Sequence, residues 1–165
     1  MKKLFLLSII AVFGMSVSLN AQGPKVGINA GLITGDFSDA YSFNLTLDAS
    51  YLWEVSDQLG AGVATGFSHS FGKSVGGFDF DDASFLPVAA AGRFNISEEF
   101  TVGVDLGYAV GINEGNDGGF YYAPRVQYSV SEAIDVVAAY RGVSMDAGSI
   151  TVGFNTITLG VEFGL

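Results

Sequence analysis

The chain has no cysteine among its 165 residues. That excludes disulfides, thiolate metal sites, a cysteine nucleophile and a lipid-bearing N-terminal cysteine. Charge is also scarce: Asp, Glu, Lys and Arg make up 15% of the chain, against roughly 25% in an average soluble domain. Lysine is rarer still, with only Lys25 and Lys73 beyond the first three residues. The balance is acidic, 17 carboxylates against 7 basic side chains, which repels nucleic acid. The longest apolar run, Leu4–Met15, is too short to cross a membrane as a helix. No phosphate loop, nucleophile triad or metal-ligand spacing occurs. The sequence therefore predicts a protein that is not an enzyme, with no catalytic residue, no metal site and no cofactor.

The first residues are of another kind. Met1-Lys2-Lys3 supplies a positive start, Leu4–Met15 the apolar stretch, and Ser16–Asn20 a polar lead to Ala21-Gln22. This is the pattern of a secretory signal peptide over residues 1–21, leaving residues 22–165 as one mature domain.

From Val26 to Leu165 the sequence alternates. Side chains on a strand point to opposite faces with period two, so alternation marks a two-faced strand. In the closing run Ile157, Leu159, Val161, Phe163 and Leu165 point one way, and Thr158, Gly160, Glu162 and Gly164 the other. Eight such stretches are predicted: 25–33, 41–55, 59–70, 85–96, 100–112, 120–130, 134–143 and 152–165. The last changes phase, because Val152 and Phe154 are even-numbered and Ile157 and Leu159 odd. A bulge at Asn155-Thr156 would restore it.

Connections alternate in length. Ser56-Asp57-Gln58, Ser97-Glu98-Glu99 and Ser131-Glu132-Ala133 are short, while Thr34–Ala40, Gly72–Ser84, Asn113–Gly119 and Ser144–Ser149 are longer and acidic. Short turns on one side and long loops on the other belong to an all-β, eight-stranded, antiparallel up-and-down transmembrane β-barrel. Both termini then lie in the periplasm. A soluble barrel would put its large apolar side chains inside and a charged face in water. Here the second face is mostly Gly, Ala and Ser, which suits a narrow lumen instead.

Six charged residues share that small face, Asp48, Arg93, Asp105, Arg125, Arg141 and Glu162, with Glu54 and Asp135 nearer the short turns. Counting from the short turns sets Asp105 diagonal to both Arg93 and Arg125, within reach of a long side chain. Buried guanidinium groups need carboxylate partners, so the set is read as a lumen charge network. It either plugs the interior or gates a narrow pore for ions or small solutes. On the apolar face, Tyr41, Phe67, Tyr108 and Tyr140 lie toward the long loops, as do Phe43, Phe71, Phe85 and Tyr122. Tyr51, Trp53, Phe94, Phe100, Tyr128 and Phe163 lie toward the short turns. Two such bands are the aromatic girdles of a membrane barrel.

The leader, the eight alternating strands, the Ser-acid turns and the ending Leu159-Gly160-Val161-Glu162-Phe163-Gly164-Leu165 resemble the small outer-membrane β-barrels of the OmpA/OmpX type. Asn20-Ala21-Gln22 resembles the signal ends of exported proteins of Bacteroidetes. The resemblance implies a structural or surface-interaction protein of a Gram-negative outer membrane, porin-like in fold. Its partners would be outer-membrane lipid, the outer-membrane assembly machinery and an extracellular partner met by the acidic loops. His69, between Ser68 and Ser70, invites comparison with lipid A-modifying barrels, which use a His and a Ser near the outer rim. Neighbouring side chains on a strand face opposite ways, and spacing offers no carboxylate on the face of His69, so it is read as a rim histidine. The acidic stretches 79–82 and 113–119 match no calcium-loop spacing and are read as solvated.

Overall fold

The computed structural model describes residues 23–148 and 150–165; the leader read at residues 1–21 lies outside them. The elements run β1 Pro24–Thr34, a 3-10 turn Gly35–Phe37, β2 Tyr41–Glu54, β3 Leu59–Gly72, β4 Ser74–Val75 and β5 Phe78–Asp79. They continue with β6 Ala83–Asn95, β7 Phe100–Gly111, β8 Gly119–Ser131, β9 Ile134–Ala147 and β10 Ile150–Gly164. All but β4 and β5 close into one barrel, in the order β1-β10-β9-β8-β7-β6-β3-β2, with every neighbouring pair antiparallel. The seam pairs β1 with β10 from Lys25↔Gly164 to Thr34↔Asn155. β4 and β5 form a separate two-stranded ribbon inside the loop after β3.

Alternation becomes two faces. Leu32, Leu47, Val63, Val88 and Leu159 are more than half exposed on the outside. Asn29, Thr46, Asp105, Ala123, Val137 and Thr158 are buried within. A wall of exposed Leu, Val, Ile and Phe, each worth about 1.5–3 kcal/mol when removed from water, is a face for lipid. No described helix is long and apolar enough to cross a membrane; here strands do the crossing. Proline marks the weak points of the ladder. β3 and β6 pair at Thr65↔Val88 and Ser68↔Phe85, skipping the position opposite Pro87, which has no N–H to give. The Thr65 hydroxyl donates to the Pro87 carbonyl instead, at 2.8 Å.

Three sequence expectations are corrected. First, β10 has no bulge at Asn155-Thr156: its ladder with β9 runs unbroken from Ile150↔Ala147 to Phe163↔Ile134. The phase never changes, because Phe154 points inward with Thr156, Thr158 and Glu162. Second, Tyr41 and Phe85 are not girdle residues. Phe85 is buried, and Tyr41 packs edge-on against Phe154 with ring centroids 5.1 Å apart. They belong to an inner apolar cluster with Ile33, Ala109, Tyr121 and Val143 at the loop end of the lumen. Equating every large apolar side chain with lipid fails there, because the upper lumen is filled by bulk. Third, β9 runs past Val143 to Ala147, so 144–147 is strand and not loop. Of the other aromatics assigned to the girdles, Phe43, Tyr51, Trp53, Phe67, Phe94, Phe100, Tyr108, Tyr128, Tyr140 and Phe163 are exposed on the outer wall, while Phe71 and Tyr122 are half-buried.

The two-faced wall makes a direct prediction. Leu106, outward-facing and midway along β7, should tolerate no charge. Leu106→Arg is expected to cost about 2–4 kcal/mol in urea unfolding from lipid vesicles, followed by Trp53 fluorescence. Val102→Arg, on the same outward face but nearer the short-turn end of the strand, should cost less.

Candidate functional site

The inner face concentrates the chemistry. Register puts Arg93 opposite Gly103, and Gly103 opposite Arg125, while Asp105 lies one inward step further along β7. Asp105 is therefore diagonal to both arginines. Its Oδ1 accepts from Arg93 Nη1 at 2.6 Å, and its Oδ2 lies 3.6 Å from Arg125 Nη1. Arg125 Nη2 also donates to Glu162 Oε1 across the lumen, and Gln127 Nε2 donates to Glu162 Oε2 at 2.7 Å. This cluster spans β6, β7, β8 and β10.

A second cluster lies nearer the long loops. Arg141 grips Asp48 with both terminal nitrogens, Nη1 to Oδ1 at 3.1 Å and Nη2 to Oδ2 at 2.6 Å. Two parallel bonds of this kind fix orientation as well as charge. Arg141 Nε donates to Thr158 Oγ1 and Nη1 to the Tyr121 hydroxyl, both at 3.1 Å, and Asn29 Nδ2 donates to Asp48 at 2.8 Å. A third pair, near the short turns, joins Lys25 Nζ to Asp135 at 2.6 Å, with Ser129 donating to the same carboxylate. The six residues singled out by sequence are thus divided between two clusters, not held in one. Lys25, Asn29, Tyr121, Gln127 and Thr158 were missed; their inward parity was the available signal.

Arg93, Arg125 and Arg141 are matched by Asp48, Asp105 and Glu162, and Lys25 by Asp135, so these eight charges of the inner face sum to zero. Room for them comes from glycine. A Cβ at Gly103 would strike the Arg93 side chain, and one at Gly27 would press on the Glu162 side chain. Two donors, Arg93 Nη2 and Arg125 Nε, are buried without a protein partner. The cavities between the clusters are small. One is bordered by Asp48, Ser50, Asp105, Tyr121 and Arg125, the other by Thr46, Ser68, Arg141 and Phe154. Each has room for about one or two waters. Above them Phe37, Tyr41, Phe85 and Phe154 stack with centroids 5.1–6.3 Å apart, closing the loop end with apolar rings.

His69 departs from its sequence reading. It does have a carboxylate: Nε2 lies 3.3 Å from Asp82 Oδ2, and Nδ1 lies 2.8 Å from Ser84 Oγ. Spacing missed both because Asp82 comes from the folded-back loop and Ser84 from the facing strand. The three residue types are those of a nucleophilic triad, but Ser84 is buried and borders neither lumen cavity. The contacts act as a clasp. They tie the long loop to the wall beside Phe67 and Phe71. Among the described residues no cluster of three potential metal ligands occurs.

Stranding a buried charge costs about 3–5 kcal/mol. Asp105→Asn, which leaves Arg93 and Arg125 short of a carboxylate, should lower unfolding stability by that order. Asp81→Asn in an exposed loop should change it by no more than about 0.5 kcal/mol. Gly103→Leu should also destabilise, by about 1–3 kcal/mol from overpacking against Arg93. Urea titrations of the three variants in one lipid measure all of this.

Solved structures with this fold include small outer-membrane barrels. Ail of Yersinia pestis, in a phospholipid nanodisc, superposes with a TM-score of 0.58 at 20% identity, covering 86% of this chain and 98% of that one. Neisserial surface protein A gives 0.57 at 15% identity over 88% and 98%. The N-terminal barrel of Pseudomonas aeruginosa OprF gives 0.56 at 15% identity over 86% and 98%. At these identities the likeness is one of fold. Ail has also been solved with the heparin analogue sucrose octasulfate. Among curated proteins none matches. The family model described as the outer membrane protein beta-barrel domain matches residues 5–163, and the chain belongs to that family of outer-membrane barrels.

Proposed function

We propose that this outer-membrane barrel is a non-enzymatic structural and surface-interaction protein whose lumen is plugged by its own side chains. The observation that carries the reading is the balance of the interior: three arginines and three carboxylates in contact, beneath a cap of stacked aromatic rings. An eight-stranded barrel has room inside for little besides its side chains. With the lumen committed to itself, recognition falls to the loops. Residues 1–21 are removed on export, the barrel of residues 22–165 is inserted by the outer-membrane assembly machinery of a Gram-negative cell, and both termini face the periplasm. The Ser-acid turns at 56–58, 97–99 and 131–133 support that orientation, being short where the opposite loops are long.

A narrow gated pore is the second reading. It is favoured by one observation: Arg93 Nη2 and Arg125 Nε have no protein partner, and Arg125 borders a cavity shared with Asp48 and Asp105. Planar-bilayer conductance of the folded chain separates the two. The plug predicts no steady conductance, and Asp105→Asn should then weaken the barrel without opening it. Sizeable current, with longer open times in Asp105→Asn, would establish the pore in its place.

A further inference from the structure

The ribbon of β4 and β5 is the one strand pairing outside the barrel ladder among the described residues. Its pairs are Ser74↔Asp79 and Val75↔Phe78, and the bond from Phe80 N to the Lys73 carbonyl extends it by a rung. Directly opposed side chains share a face. Val75, Phe78 and Phe80 therefore lie on one face, with Lys73 at the rung opposite Phe80, and Ser74 and Asp79 on the other. The apolar face is uncovered: Phe78 is 76% exposed, the most of any large hydrophobic side chain described. Gly76 and Gly77, with φ of 60° and 87°, make the turn that carries Phe78 outward.

Elsewhere the exposed apolar side chains lie mainly on the barrel wall, where lipid covers them. The ribbon is different, because Asp79, Asp81 and Asp82 accompany its aromatic residues and carboxylates are costly in hydrocarbon. A two-stranded ribbon is marginal in water by itself. Two exposed phenylalanines on such a ribbon are a reason for a partner, since buried aromatics dominate binding hot spots. Charge selects the partner. Asp36, Asp39, Glu114 and Asp117 lie in the neighbouring loops, and the nearby cation, Lys73, is turned onto the Ser38 carbonyl at 3.3 Å.

We infer that the ribbon docks a cationic amphipathic polypeptide. The apolar side chains of that partner cover Val75, Phe78 and Phe80, and its Lys or Arg residues meet the surrounding carboxylates. The inference rests on the surface-interaction reading and gives its partner a chemistry. That chemistry is opposite in sign to the polyanion seen on Ail.

The test uses the full mature chain in phosphatidylcholine nanodiscs. A designed helical peptide with a leucine face and a lysine face is titrated against loaded and empty nanodiscs by calorimetry. The controls are its Glu-for-Lys counterpart and polylysine. Binding at least tenfold tighter to loaded nanodiscs is expected, lost in Phe78→Ser/Phe80→Ser, with the acidic counterpart not binding and polylysine at least tenfold weaker. Equal binding to empty nanodiscs, binding unchanged by the double substitution, or preference for the acidic peptide would each overturn the inference. Heat-dependent gel mobility verifies that the variant still folds, since neither residue is in the barrel ladder. Lumen conductance is independent of the ribbon. A silent barrel that binds no peptide defeats this inference alone, and a conducting one defeats the plug whatever the ribbon does.

Discussion

Hydrocarbon offers no hydrogen bonds, so a chain that crosses it must satisfy its own backbone, and for strands that means closing the sheet. The β1–β10 seam is where this requirement is met: pairs from Lys25↔Gly164 to Thr34↔Asn155 leave no edge strand in the barrel. Closure with eight strands then fixes the diameter, and the diameter decides what the inner face can carry. Small residues let the wall curve and make room for a few large ones. Gly103 leaves space for Arg93, and Gly27 for Glu162.

Once the interior is that narrow, charge inside it must be matched in place. The clusters around Asp105 and Asp48 join strands that are not ladder neighbours: Arg125 on β8 reaches Glu162 on β10, and Arg141 on β9 reaches Asp48 on β2. These ties act across the barrel, where backbone bonds cannot. Replacing buried ion pairs with apolar residues is often neutral or stabilising in other proteins. Their worth here lies in fixing one arrangement of the lumen and keeping it shut, on the proposed reading. The apolar rings above them do the same work by bulk.

Much of the fold was legible because the side-chain period of two survives in almost every strand. Eight strands, their order and the alternation of short and long connections follow from parity and turn residues alone. Parity also assigned the six charged side chains to the inner face, and counting from the turns related Asp105 to Arg93 and Arg125. What was not legible is contact across the lumen. Which carboxylate meets Arg141 depends on diameter and stagger, and neither is written in any one strand. Phe154 and Phe85 were misread for a related reason: large apolar residues serve lipid on one face and the upper lumen on the other, and hydrophobicity alone does not distinguish them. Asp82 reaches His69 only because the loop after β3 folds back, which no spacing rule encodes.

The central claim is that the lumen charges act as coupled pairs holding the interior in one arrangement. A double-mutant cycle on Arg141 and Asp48 tests it most directly, with Arg141→Met, Asp48→Leu and the combination unfolded in urea from the same lipid. The account predicts that each single change costs about 3 kcal/mol or more. The double should cost less than their sum by at least about 1 kcal/mol. Additive costs, or single changes within about 0.5 kcal/mol of the unmodified chain, would contradict it.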